Sequence, residues 1–246
     1  MNLKVLGSSS KGNSYILETP TGKLILDAGV PFRDILIGIK HKIEDVRGCL
    51  VTHSHGDHIK AASQLMDSAI DVYMTKGTAD AKETKHHRLR IIEAEKQFST
   101  GDFVVLPFHT EHDCNGSVGY LIQYRPTGEK LLFATDTYYV RYRFLGVNYF
   151  LIECNYIHDI LIENVIEGTV PEFLMKRLQR SHFSLANLKV FFRANDLKTV
   201  RKIVLIHLSD GNSDPLRMRA EIEDLTRKEV EIARTGMEIK LDLCPF

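Results

Sequence analysis

Cysteine is scarce in this chain of 246 residues: Cys49, Cys114, Cys154 and Cys244 are the only four, and none forms a C-x-x-C pair. That excludes a disulfide framework and a cysteine-based zinc site. Excess charge is missing too. Lys and Arg number 32 and Asp and Glu number 32, so the formal charge is zero with His neutral. Such a balance argues against coating nucleic acid by bulk charge, although it leaves room for a local basic patch. No apolar run approaches the roughly 18 residues that cross a bilayer. The start, Met1-Asn2-Leu3-Lys4-Val5-Leu6-Gly7, turns polar too soon for a secretory signal. These absences predict a cytoplasmic protein that meets no membrane. No Pro/Gly/Ser-rich linker, charge block or repeat interrupts the sequence, so residues 1–246 read as a single domain. Nothing in the sequence specifies an oligomeric state.

What the chain does have is histidine, 11 in all. Around it, β-branching and alternation predict strands over 3–6, 15–18, 23–26, 48–52, 72–74, 91–94, 103–108, 118–124, 130–134, 149–153 and 202–206. Residues 7–14 read as a turn-rich connection, and 118–124 pairs with 130–134 around Pro126-Thr127-Gly128. Helices are expected over 32–40 after Pro31, 61–68, 171–180, 185–194 and 216–226, with a polar helical region reaching Arg90. Strands crowding the first two thirds, with helices interspersed, predict an α/β (α+β) fold of stacked sheets covered by helices.

The histidines concentrate in Thr52-His53-Ser54-His55-Gly56-Asp57-His58, four metal-capable side chains within six positions after a buried strand. Extended backbone alternates its side chains, so His53 and His55 point to one side. Gly56 permits a sharp turn, after which Asp57 and His58 open the next helix and face the same pocket. Imidazole and carboxylate at this spacing can hold two divalent ions a few ångströms apart.

This H-x-H-x-D-H pattern resembles the signature of the metallo-β-lactamase superfamily, which implies a four-layer αβ/βα sandwich with a dinuclear metal site and more ligands downstream. For the His expected after a later strand, His109 and His112 are both candidates in Phe108-His109-Thr110-Glu111-His112. His112, at the strand's end, is favoured, and His109 is read as a packed residue or one that supports a ligand from behind. Asp136, delivered by the apolar run 131–134, matches the carboxylate that bridges both metals, and His207 after 203–206 completes the second metal. The resemblance makes Asp57 and His182 catalytic groups, with His182 in the position that binds or protonates the scissile phosphate. Mixed His and Asp ligands suit Zn²⁺, with Mn²⁺ or Fe²⁺ also reasonable.

A narrower similarity covers most of the chain. Gly7-Ser8-Ser9-Ser10-Lys11-Gly12-Asn13-Ser14-Tyr15, His112-Asp113, Val118-Gly119-Tyr120, Glu153-Cys154-Asn155-Tyr156 and His207-Leu208-Ser209 resemble the YycJ/WalJ-type metallohydrolases. Two positions depart from that pattern. Ser181 stands where Gly usually precedes the late His, and in Asn155-Tyr156-Ile157-His158-Asp159 the His is displaced. The similarity implies a DNA exonuclease acting from the 5′ end. Two divalent ions about 3.5–4 Å apart would clamp a phosphoryl group and acidify a bridging water, whose hydroxide attacks in line.

Three basic runs fit a nucleic-acid partner, DNA before RNA. The first holds Lys82, Lys85, His86, His87, Arg88 and Arg90, and the second Tyr138, Tyr139, Arg141, Tyr142 and Arg143 after Asp136. Lys176, Arg177 and Arg180, leading into His182, make the third. Lys85, Arg88, Arg141 and Arg143 are the leading candidates for binding the strand. Two alternatives remain at this level. One is a small-molecule hydrolase acting on a cyclic phosphodiester, thioester or lactone, since one fold and metal site serve many substrates. The other is a metal-binding scaffold without turnover, against which every expected ligand position is filled.

Overall fold

The first strand shows how the sequence selects its faces. In β1 (Asn2–Ser9), Leu3, Val5 and Gly7 are buried while their neighbours are half or fully exposed, the period-two pattern of a strand with one covered face. The strands β2 (Gly12–Thr19) and β3 (Gly22–Leu26) are buried almost throughout, as central strands must be. This computed structural model describes residues 1–241, so Cys244 lies outside the described residues. The chain divides into two compact units. One holds Met1–His109, Cys114–Gly128 and the residues from Arg234 on; the other holds Thr110–Asp113 and Glu129–Ala233.

In the first unit β1, β2 and β3 pair antiparallel. Parallel strands then continue the sheet: β4 (Val46–Leu50), β5 (Val72–Thr75) and β6 (Leu89–Ile92). Short helices join them: α1 (Phe32–Gly38) behind Pro31, α2 (Gly56–Ile59), α3 (Ala62–Asp67) and α4 (Lys76–Ala81). Their core faces meet the sheet in a cluster that includes Ile16, Ile25, Val51, Leu65, Met66 and Met74. The strands β7 (Phe98–Thr100), β8 (Phe103–His109) and β9 (Val118–Tyr124) form an antiparallel meander in the same unit.

The second unit is built on four parallel strands in the order β10 (Lys130–Ala134), β11 (Tyr149–Glu153), β12 (Lys202–Ile206) and β13 (Glu229–Ile232). Helices α5 (His158–Ile166), α6 (Glu172–Ser181) and α7 (Leu185–Ala194) precede β12, and α8 (Pro215–Thr226) precedes β13. Phe150 of β11 meets Phe191 and Phe192 of α7 edge-on, with ring centroids 6.0 and 5.3 Å away. The chain then returns to the first unit, where β14 (Glu238–Lys240) pairs antiparallel with β1. No helix of the described residues is long and apolar enough to cross a membrane.

Two expectations change. Residues 7–14 are no loose connection, because β1 runs through Ser9 and β2 begins at Gly12, leaving a tight turn at Ser10 and Lys11. The polar helix after β5 stops at Ala81, well short of Arg90, and Arg90 is itself in β6.

Candidate metal centre

Functional side chains gather where parallel strands end, the usual place for ligands in parallel sheets. In the first unit Asp27 follows β3, and Val51-Thr52-His53 follows β4 beside it. Backbone bonds tie the two ends together: Asp27 N donates to Leu50 O (2.8 Å), and Ala28 N to His58 O (2.8 Å). The approach is so close that a Cβ on Gly29 would collide with the carbonyl of Asp57. A glycine is required there.

Within this unit the imidazoles of His53, His55 and His58 cluster. His53 lies 4.8 Å from His55 and 4.1 Å from His58 between ring centroids. Two of the rings are oriented from behind. His58 Nδ1 is 2.7 Å from Asp27 Oδ2, and His53 Nδ1 is 3.0 Å from Thr52 Oγ1. Thr52 N and Oγ1 donate to Asp27 Oδ1 at 2.8 and 3.0 Å, so the hydroxyl is free to accept from His53. With Nδ1 acting as donor, the lone pairs of His53 and His58 sit on Nε2. Asn13 Nδ2 lies 3.1 Å from His58 Nε2 and 3.4 Å from Asp57 Oδ2. Burial pushes the Asp27 carboxyl up, against the opposing charge and hydrogen bond of His58 and the donors of Thr52.

The second unit assembles its own set. Asp136 and His207 stand just beyond β10 and β12 with φ of 47° and 54°, and Asp27 does the same beyond β3 at 57°. This left-handed conformation is uncommon outside glycine, and Asp and His are among the residues that enter it most readily. It bends the chain sharply at each strand end and turns the polar side chain out of the sheet's alternation.

Glu153, the last residue of β11, is fully buried and organises two imidazoles at once. Its Oε1 accepts from His182 Nδ1 (2.7 Å) and His207 Nδ1 (2.8 Å), and its Oε2 from Thr137 N (3.0 Å) and Phe183 N (3.1 Å). Burial alone would raise this carboxyl, but the charge of His182 and the hydrogen bonds from His182 and His207 hold it below its ordinary value. Burial also works against a charged His182; Glu153 outweighs it, with Asp136 and Asp113 adding, and His182 is raised to about 9. His112, by contrast, is lowered by burial, despite Asp136 and the Ser181 carbonyl 2.9 Å from its Nδ1.

Donor chemistry fits divalent cations. Two nitrogens each about 2.0–2.1 Å from one zinc ion stand roughly 3–3.5 Å apart, and His53 Nε2 and His55 Nδ1 are 3.1 Å apart. In the second unit, Asp136, Glu153, His182 and His207 each offer a ligand atom, all within 4.8 Å of one another.

A family model described as the beta-lactamase superfamily domain matches residues 24–208. The chain belongs to that superfamily. Among curated superfamily relatives, "Exodeoxyribonuclease WalJ" of Streptococcus pneumoniae is 31% identical over 227 residues, covering 85% of this chain and 82% of its own. "Exodeoxyribonuclease YycJ" of Bacillus anthracis is 31% identical over 231 residues, covering 87% and 84%. The metallo-beta-lactamase fold protein YhfI from Bacillus subtilis superposes with a TM-score of 0.73 at 16% identity, over 96% of this chain and 97% of that one. The fold is therefore the superfamily's αβ/βα sandwich, and its His/Asp donor sets suit divalent metal ions.

The first unit brings together His53, His55, Asp57 and His58, and the second brings together His112, Asp136, His182 and His207. His109 is no packed residue: it ends β8 and is exposed. Among the basic candidates, Arg88 is held by Asp71 (3.2 Å) and Arg141 by Glu111 (2.6 Å), while Arg143 and Lys85 are exposed. Sequence reasoning passed over Asp27, and it quoted Asn13 and Glu153 in the resembling motifs without giving either a role toward the histidines. The available signal was position: Asp27 and Glu153 each end an apolar strand of the kind that also delivers Asp136.

Proposed function

We propose that the chain is a dinuclear, metal-dependent phosphodiesterase acting on nucleic acid, specifically a DNA exonuclease working from the 5′ end in the cytoplasm. The observation that carries this reading is the match to relatives named exodeoxyribonuclease over more than four fifths of their length. On this reading residues 1–246 form one domain. His53, His55, Asp57, His58, His112, Asp136 and His207 would hold two ions, Zn²⁺ or Mn²⁺ before Fe²⁺, and Asp136 would serve both. The Nδ1 partners of His53, His58, His112 and His207 leave Nε2 as the ligand atom of each, whereas His55 presents Nδ1.

When bound, the ions supply Lewis acidity toward the phosphoryl oxygens and make a water more acidic. The chain's own groups do the rest. Asp57, with Oδ2 3.4 Å from His58 Nε2, accepts a hydrogen bond from the attacking water and aims it. Glu153 takes the Nδ1 hydrogen of His182, so the second proton of the imidazolium sits on Nε2. From there it passes to the leaving oxygen as the phosphodiester breaks. Arg141, Arg143, Lys85 and Arg88 hold the strand by its phosphates.

The test is incubation of metal-loaded protein with end-labelled single- and double-stranded DNA and RNA, beside a generic phosphodiester and a thioester. Stepwise release of mononucleotides from the 5′ end of DNA is expected. Cleavage of the thioester alone would make the chain a small-molecule hydrolase, and no cleavage of any substrate would leave it a metal-binding scaffold.

A further inference from the structure

Beside Asp57, within the first unit, opens a cavity of about 660 Å³, well inside the range of roughly 300–1,000 Å³ typical of ligand sites. Three lysines line it, Lys11, Lys60 and Lys82, together with the hydroxyl residues Ser10, Ser63 and Thr84. Asp57 is the single acid on its wall, and no aromatic ring lines it. Cations and hydroxyl donors without a stacking surface suit phosphate oxygens and do not suit a base.

Two of these lysines, Lys60 and Lys82, differ from the other cations of this region. Lys76 is neutralised by Asp80 at 2.6 Å, and Arg88 and Arg90 both grip Asp71, at 3.2 and 3.1 Å. Lys60 and Lys82 are exposed, and among the described residues neither ammonium lies within ion-pair distance of a carboxylate. The basic run 82–90 thus splits. Its arginines brace β6 against Asp71, and Lys82 turns to the cavity. The tight turn of Ser10 and Lys11 between β1 and β2 supplies another part of the wall.

We propose that this cavity is a phosphate subsite in which Lys11, Lys60 and Lys82 hold phosphoryl oxygens of a nucleic-acid strand next to Asp57. The inference rests on the nucleic-acid reading above and deepens it, locating where the strand is gripped without regard to sequence. Each lysine that neutralises a phosphate releases a counterion, so its loss flattens the salt dependence of binding by a countable amount.

The experiment is fluorescence anisotropy with labelled DNA in EDTA, over a series of salt concentrations, for wild type, Lys60→Ala, Lys82→Ala, the double variant and Lys76→Ala. Each cavity variant is expected to lower the slope of log K against log[salt] by about 0.7–1 and to weaken all sequences alike. The double variant should lose about twice that, and Lys76→Ala nothing. Strands with 5′-phosphate and 5′-hydroxyl ends separate the two sources of phosphate. Equal losses for both assign the backbone, and a loss confined to the phosphorylated strand assigns the terminal group. A wild-type slope in the correctly folded double variant, or an equal change in Lys76→Ala, overturns the subsite while leaving the nuclease reading intact. If wild-type protein neither binds DNA nor cleaves it when loaded with Mn²⁺, the nuclease reading fails and takes the subsite with it.

Discussion

The two units reach similar chemistry by opposite routes. In the first, His53, His55, Asp57 and His58 come from one six-residue stretch, and a single strand end places them all. In the second, His112, Asp136, His182 and His207 are spread over nearly a hundred positions; parallel strands deliver Asp136 and His207, while His182 comes from the end of α6 and His112 from the segment after β8. Behind each set stands a buried carboxylate, but the two carry different duties. Asp27 faces one imidazole, His58, while Glu153 holds both His182 and His207. A contiguous motif needs one support; a dispersed one needs a hub. The second unit should therefore be the more fragile.

The largest effects would show that both sets are needed. His55→Ala in one unit and Asp136→Ala in the other should each reduce hydrolysis of DNA to background while circular dichroism stays that of wild type; full activity in either removes that unit from the site. His182→Ala should cut turnover by about 10²–10⁴-fold without changing the metal equivalents found by atomic emission. Loss of one equivalent would instead make His182 a ligand.

The buried carboxylates test the comparison itself. Glu153→Gln and Asp27→Asn should weaken metal binding by about 10–100-fold, with Glu153→Gln at the upper end because two rings lose their anchor. A competition titration with a chelating dye reads both, and equal losses would mean that Glu153 is no hub.

A smaller effect follows from protonation. His182 is raised from 6.5 to about 9 in the folded, metal-free protein. A raised pKa stabilises the fold fully below the unfolded value of about 6.5, and that contribution is lost as pH rises through about 9. Urea midpoints in EDTA should therefore show wild type losing its advantage over His182→Ala between those limits, and a constant difference would contradict the pairing with Glu153. Smallest of all, Arg143→Ala should flatten the salt slope of DNA binding by about 0.7–0.9. Arg141→Ala should do less, because Glu111 already engages that guanidinium at 2.6 Å.

The same contrast governs what could be read from the sequence. The 53–58 cluster announces itself, since its spacing and its strand are contiguous. Segments whose apolar pattern matches their final burial were also legible: the strand Lys202–Ile206 and the helix Leu185–Ala194 have the expected bounds. The helix His158–Ile166 was not, because its N-cap Ile157 makes no side-chain cap and its Ile162 and Ile166 are exposed, which blurs the helical period. The strands Glu229–Ile232 and Glu238–Lys240 are too short to declare themselves and owe their form to the neighbours they pair with. Asp27 and Glu153 were given no role for a related reason. A carboxylate at a strand end reads locally as a turn residue, and nothing near Asp27 in sequence points to His58, 31 positions on.

The left-handed backbone at Asp27, Asp136 and His207 also bears on how such a protein can change over generations. At these three positions most side chains would be penalised by about 1–2 kcal/mol before any chemistry is considered. Glycine and asparagine escape that penalty but surrender the charge or the ring nitrogen. A substitution that silences the enzyme at one of these three positions therefore also draws on its folding stability, so drift toward inactivity there carries a second cost.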